Sequence, residues 1–127
     1  VTSSATPVVQ GAWLEEGQHL NVVGASVATK REIDDTTVLR AAVFTDYRAS
    51  FFAQAGEIVE MIRAGTIDET HLQAEIGAVL SGDAPGRLLP DAITLYRSLG
   101  VTAQDLAVAQ HVLDRAVSEG RGQDVHF

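Results

Sequence analysis

The chain has 127 residues, about one domain, and its nine basic and seventeen acidic side chains leave a formal charge of −8 at pH 7. The single lysine, Lys30, and the arginines are scattered among carboxylates, so the basic stripe that neutralises phosphates is missing and no nucleic-acid partner is expected. A hydrophobic content of 46 % argues for a folded core, and the lack of cysteine removes disulfides, thiolate metal sites and cysteine nucleophiles.

The sequence opens at Val1 rather than at a methionine, and residues 1–7 read as the end of a strand. That start fits either a piece of a longer protein or a chain whose first methionine is gone. After the turn signal Glu15-Glu16-Gly17, a short apolar run over 20–25 predicts a buried strand. Asp34 and Asp35 open a short helix, since acids suit a helix start. Residues 41–46 predict a second strand with Asp46 closing the turn at its end. Residues 47–63 read as two short helices broken near Gly56, with Phe51 and Phe52 in the core and Glu57 solvated.

Asp68 then caps an amphipathic helix with Leu72, Ile76, Val79 and Leu80 on one face, closed by Gly82. The loop-like stretch over 81–87 leads to a third strand over 92–96, rich in β-branched and aromatic residues. Thr102 and Asp105 form a capping box for the longest helix, whose Leu106, Leu113 and Val117 share a face until Gly120. Strands alternating with helices predict an α/β fold.

Among chemical motifs, the four histidines (His19, His71, His111 and His126) show no zinc-type spacing, and His71 with Glu75 reads as a solvated i, i+4 pair on the helix, so no metal is expected. No G-x-S-x-G elbow exposes a serine. The phosphate-binding G-x-G-x-x-G is also absent, because Gly120-Arg121-Gly122 follows a helix. No window approaches the roughly 18 apolar residues of a membrane helix, and no leader pattern opens the chain, so a soluble, cytoplasmic protein is expected. The strand ends present Thr2-Ser3-Ser4, Gly24-Ala25-Ser26 and Ser98-Leu99-Gly100. These small polar residues serve one ligand crevice or tight turns equally well.

Taken in order, Thr2-Ser3-Ser4-x-x-Pro7, Gly17-Gln18-His19-Leu20-Asn21-Val22-Val23-Gly24-Ala25-Ser26 and Lys30-Arg31-Glu32-Ile33-Asp34 resemble the ornithine cyclodeaminase and mu-crystallin family. Ala55-Gly56-Glu57, Ala74-Glu75-Ile76-Gly77, Gly86-Arg87, Ile93-Thr94-Leu95-Tyr96-Arg97-Ser98-Leu99-Gly100 and Asp105-Leu106-Ala107 continue the series over nearly the whole chain. The resemblance implies the C-terminal part of a longer protein. Residues 1–101 would then complete a Rossmann-type domain for NAD or NADP, and residues 102–127 would return toward a dimerisation and substrate domain, in a homodimer acting on imino or amino acids.

Carried over by the same resemblance, Thr2 and Ser3 lie beside the dinucleotide, His19, Leu20, Asn21, Val22 and Val23 run along its nicotinamide half, and Lys30 lies near the cofactor. Ser98 approaches the nicotinamide, while Leu99 and Gly100 border the substrate. The informative departure is Ser26, which stands where ornithine cyclodeaminases carry a catalytic aspartate; a hydroxyl cannot do that acid–base work near neutral pH. The resemblance therefore implies a reductase of cyclic ketimines such as pyrroline-2-carboxylate, or an amino-acid dehydrogenase, in which Ser26 orients the imine. The other readings are a nucleotide-dependent carrier without turnover and a folded piece without nucleotide affinity.

Overall fold

The computed structural model describes residues 2–125. Strands β1 (His19–Val22), β2 (Ala41–Thr45), β3 (Leu72–Glu75) and β4 (Ile93–Arg97) form one sheet in the order β1-β4-β2-β3, with every neighbouring pair parallel. Parallel neighbours need crossovers, and helices α1 (Asp35–Arg40), α2 (Arg48–Gln54), α3 (Gly56–Arg63) and α4 (Ile76–Ser81) provide them, while α5 (Thr102–Ser118) follows the last strand. This is the α/β class predicted from the alternation of elements.

The two central strands are apolar because both their faces are covered. Val43 of β2 and Leu95 of β4 have no exposed surface and pack with Val38 of α1, Phe51 of α2 and Ile58 and Met61 of α3. Each such side chain contributes about 1.5–3 kcal/mol by leaving water. Phe52 is half-buried, edge-on to Phe51 at 5.1 Å between ring centres, with the Arg48 guanidinium 4.8 Å over its ring.

Asp34 caps α1 as predicted: its Oδ1 accepts the Thr37 N–H at 2.8 Å, and also that of Gly11 at 2.8 Å. The break between α2 and α3 falls at Ala55, beside the glycine that signalled it. Gly56 has a different reason from helix breaking. A Cβ there would stand 2.1 Å from the Lys30 carbonyl oxygen and 2.8 Å from that of Ala28, so the residue admits the loop that follows β1.

Several expectations need correction. The helix predicted from Asp68 is three elements: a 3-10 turn (Glu69–His71) in which Asp68 caps Thr70, then β3, then α4. Leu72 belongs to the strand, opposite Val43, while Ile76 and Val79 belong to α4, so two elements in series imitate one helical period. Gly82, at φ 84°, does close α4.

Residues 2–7 form no strand; the Ser4 hydroxyl donates to the Thr6 carbonyl in a local turn. The capping box at Thr102 is absent, because Thr102 is already helical and Val101 caps without a side-chain bond. β1 stops at Val22, short of the predicted Ala25, because side chains take the next backbone groups: Glu32 accepts the Gly24 N–H and Arg97 donates to the Ala25 carbonyl. Val1, which the sequence pattern places in an opening strand, and His126 and Phe127 of the tail lie outside the described residues. No residue of α5 is buried.

Candidate functional site

In a parallel sheet the loops at the carboxyl edge carry the ligand groups. Here that edge gathers three segments. Ser98 follows β4 and its N–H donates to the Val22 carbonyl at 3.0 Å, placing the end of β4 beside the end of β1. The 23–32 loop then folds back so that Glu32 binds its own start, with Oε2 accepting the Gly24 N–H at 2.7 Å. Glu32 Oε1 accepts the Thr2 hydroxyl at 2.8 Å and the Thr2 N–H at 2.5 Å, drawing the opening segment to the same place. A Cβ on Gly24 would stand 2.3 Å from the Thr2 carbonyl oxygen, so only glycine lets these segments touch.

The third anchor is Asp46, at the end of β2. Its Oδ2 accepts the Ser98 hydroxyl at 2.8 Å and the N–H groups of Leu99 and Gly100 at 2.8 and 2.7 Å, while Oδ1 accepts the Tyr47 N–H. Burial pushes the Asp46 carboxyl up, and these hydrogen bonds push it further down, so it stays below the usual aspartate range. Glu32 behaves alike: burial raises it, and the bonds from Thr2 and Gly24 bring it below the usual glutamate range.

Beneath this edge lies an ion pair between two side chains with no exposed surface. Arg97 Nε donates to Glu57 Oε1 at 2.6 Å, Nη2 to the Ala25 carbonyl at 2.5 Å and Nη1 to the Ser98 carbonyl at 3.1 Å. Glu57 was expected to be solvated on its helix. Its partner Arg97 is the reason it is buried instead.

The structure brings Thr2, Ser3, Ser26, Ser98, Leu99 and Gly100 to this edge, with Thr2, Ser3, Ser26 and Gly100 exposed and Ser98 nearly covered. Val23 is exposed beside them, whereas the Val22 side chain joins the core. Lys30 is half-buried further along the same loop. His19 and Leu20 sit at the other end of β1: Leu20 packs on the core, and the His19 ring Nδ1 lies 2.7 Å from the Thr94 hydroxyl. With Phe44, Ile76, Val79 and Arg87, His19 lines a groove of about 310 Å³ under α4. Asn21 is exposed, paired in register with Tyr96.

His71 and Glu75 share no helix: His71 Nε2 lies 2.9 Å from the Val38 carbonyl oxygen, and Glu75 accepts the Arg48 N–H at 2.7 Å. Among the described residues no group of three His, Cys, Asp or Glu could hold a metal ion. Among them, too, no helix is long and apolar enough to cross a membrane.

Glu32, Asp46, Glu57 and Arg97 carry the geometry, and sequence reasoning gave none of them a part in the site. The available signals were local: an arginine ending the apolar run of β4, and a glutamate one residue after the glycine that admits the loop.

The edge suits an anionic dinucleotide in its donor set. Exposed hydroxyls and backbone groups form the rim, one lysine adds positive charge, and the carboxylates of Glu32 and Asp46 are turned onto backbone N–H groups.

The model of the ornithine cyclodeaminase/mu-crystallin family matches residues 1–120. The iminosuccinate reductase of Paracoccus denitrificans is 39 % identical over 128 residues, which is 100 % of this chain and 39 % of that protein. Among solved structures, the Thermococcus litoralis Δ1-pyrroline-2-carboxylate reductase in complex with NADH and L-proline superposes with a TM-score of 0.87 at 32 % identity, over 97 % of this chain and 38 % of the other. An archaeal alanine dehydrogenase dimer with bound NAD superposes with a TM-score of 0.83 at 33 % identity, over 99 % of this chain and 39 % of the other. The chain thus spans about two fifths of the length of the relatives it matches.

Proposed function

Because the chain belongs to the ornithine cyclodeaminase/mu-crystallin family, we propose that it is part of an NAD(P)-dependent reductase of imino acids, of the ketimine or iminosuccinate type, or of a related amino-acid dehydrogenase. The observation that carries this reading is the carboxyl edge of the sheet, where Arg97 donates to the carbonyls of Ser98 and of Ala25, the residue before Ser26, and the Asp46 carboxylate is taken up by Ser98, Leu99 and Gly100. Residues 1–101 form the C-terminal part of the nucleotide-binding domain, and 102–127 return toward a dimerisation domain.

Thr2, Ser3, Asn21, Val23, Lys30 and Ser98 would hold the dinucleotide, together with the backbone of the His19–Val22 strand. Reduced nicotinamide, when bound, supplies hydride to the carbon of a C=N bond. The chain's own part is placement. The Ser98 hydroxyl hydrogen is donated in a hydrogen bond to Asp46, so its oxygen meets a ligand N–H as an acceptor. Leu99 and Gly100 border the substrate, and Ser26 orients the imine or a water without acting as an acid near neutral pH, which disfavours ornithine cyclodeamination.

The relative that is a dimer, together with the uncovered Leu106, Leu113 and Val117 of α5, supports a homodimer built through that helix. A reductase works where its reduced dinucleotide is regenerated, and we place this one in the cytoplasm. The test is oxidation of NADH or NADPH by the full-length protein with pyrroline-2-carboxylate, piperideine-2-carboxylate, iminosuccinate, or small 2-oxo acids plus ammonia. Turnover with one of these supports the reading, and none with any of them contradicts it. Ser26 in place of a carboxylate favours one other reading, a nucleotide-dependent carrier, which saturable cofactor binding without turnover would support.

A further inference from the structure

We propose that Arg97 is a positioning residue of this reaction, its guanidinium holding the loop that carries Ser26 at a set separation from the strand end that carries Ser98. The proposal rests on reading the carboxyl edge as the site of imine reduction.

Arg97 is the last residue of β4 and has no exposed surface. Its rigid planar fork reaches three acceptors on three segments: Glu57 on α3, the carbonyl of Ala25 on the loop after β1, and the carbonyl of Ser98 at its own strand end. Ala25 directly precedes Ser26. One planar group therefore fixes the backbone beside both serines, which a flexible lysine ammonium does not do.

The way the guanidinium is used points to the same role. An arginine that served only to neutralise Glu57 would pair with both carboxylate oxygens. Here one oxygen is bonded, and Glu57 Oε2 is buried with no hydrogen-bond partner among the described residues, while both terminal nitrogens are spent on loop carbonyls. Burying a charge pair is no efficient way to stabilise a strand end, since apolar residues of similar volume often do as well or better. What the pair adds is a fixed geometry.

The rest of the Ser26 loop is anchored on either side of that contact. Glu32 takes the Gly24 N–H at its start, and the Ala28 and Lys30 carbonyls lie against Gly56 further on. Ala25 is thus the anchor nearest Ser26 that also reaches the Ser98 side. Misplacing reacting groups by about 1 Å costs roughly 100-fold in rate, with binding less affected.

The experiment uses the full-length protein, with NADH or NADPH and the best imine substrate. Arg97→Lys keeps the charge opposite Glu57 and gives up the fork; its kcat is expected to fall about 10–100-fold, with both KM values within about threefold of wild type. Arg97→Ala is the second variant, and methylguanidinium in the assay is expected to restore at least about a tenth of its lost kcat, which ammonium does not, because only the former rebuilds the fork. Melting temperatures are recorded for each mixture.

An Arg97→Lys enzyme with kcat within about threefold of wild type overturns the proposal. So does methylguanidinium that raises the melting temperature of Arg97→Ala without restoring turnover, since the arginine is then only structural. If wild type reduces no imine, the functional reading falls by itself. Amide hydrogen exchange then decides the clamp: faster exchange over 24–30 and 98–100 in Arg97→Lys supports it, and unchanged exchange overturns it.

Discussion

Asp46 accepts the Ser98 hydroxyl across 52 residues of sequence, on the same carboxylate oxygen that receives the N–H groups of Leu99 and Gly100. An ionised carboxylate only accepts, so one side chain both closes the turn after β4 and sets the polarity of the serine. Asp46→Ala leaves these donors without their acceptor and is expected to cost about 1–3 kcal/mol. Urea unfolding measures it, and a loss below that of Asp46→Asn, which keeps one accepting oxygen, would contradict the assignment.

Acid sensitivity follows from the same carboxylates. Burial pushes Glu32, Asp34 and Asp46 up, but hydrogen bonds from Thr2 and Gly24, from Thr37 and Gly11, and from Ser98, Leu99 and Gly100 carry them below their ordinary values of 4.5, 3.8 and 3.8. A group with a depressed folded pKa stabilises fully above its unfolded value and ceases to do so as pH falls through its folded one. Stability is therefore expected to decline as pH drops below about 4.5, and Asp46→Asn to make that decline shallower. The urea midpoint measured against pH checks the sign.

Two helical glycines respond oppositely to alanine. In an open helix position the change gains up to about 1 kcal/mol, and Gly77 in α4 has nothing within 4 Å of a new Cβ. Gly56 has the Lys30 carbonyl in that space, and Gly56→Ala is expected to lose about 1–3 kcal/mol in spite of the helical preference. Denaturation of the two variants side by side reads the difference, and a stabilising Gly56→Ala would mean the Ser26 loop does not lie where the structure has it.

Breaking the buried pair from the other side is costly. Glu57→Gln keeps the shape but leaves the Arg97 charge without a counterion, and a loss of about 3–5 kcal/mol is expected. Equilibrium unfolding tests it, and a loss under about 1 kcal/mol would place the pair in water.

The strands over 41–45 and 93–97 were legible because central parallel strands are apolar on both faces, a pattern that survives without tertiary information. β3 was not legible, since Leu72 pairs with Val43 while Ile76 starts a helix, and their spacing copies a single amphipathic face. The small strand-end residues fit a ligand crevice and tight turns equally well, and they did not report the side chains that hold that edge together. Asp46 and Ser98 meet only after two crossovers and Ala25 and Arg97 only after three, and nothing local in Glu57 reports the guanidinium that buries it. The capping box failed for a smaller reason: Thr102 is the first helical residue rather than the one before it.

The most direct test of the account follows a single hydrogen. Full-length protein is supplied with reduced dinucleotide carrying deuterium at the transferable C4 position and with the best imine, and the product amino acid is analysed by mass spectrometry. The account predicts one deuterium at the product's α carbon from one face of the cofactor, with Ser98→Phe abolishing the transfer. An unlabelled product, or cofactor that binds and leaves with its label intact, would contradict it.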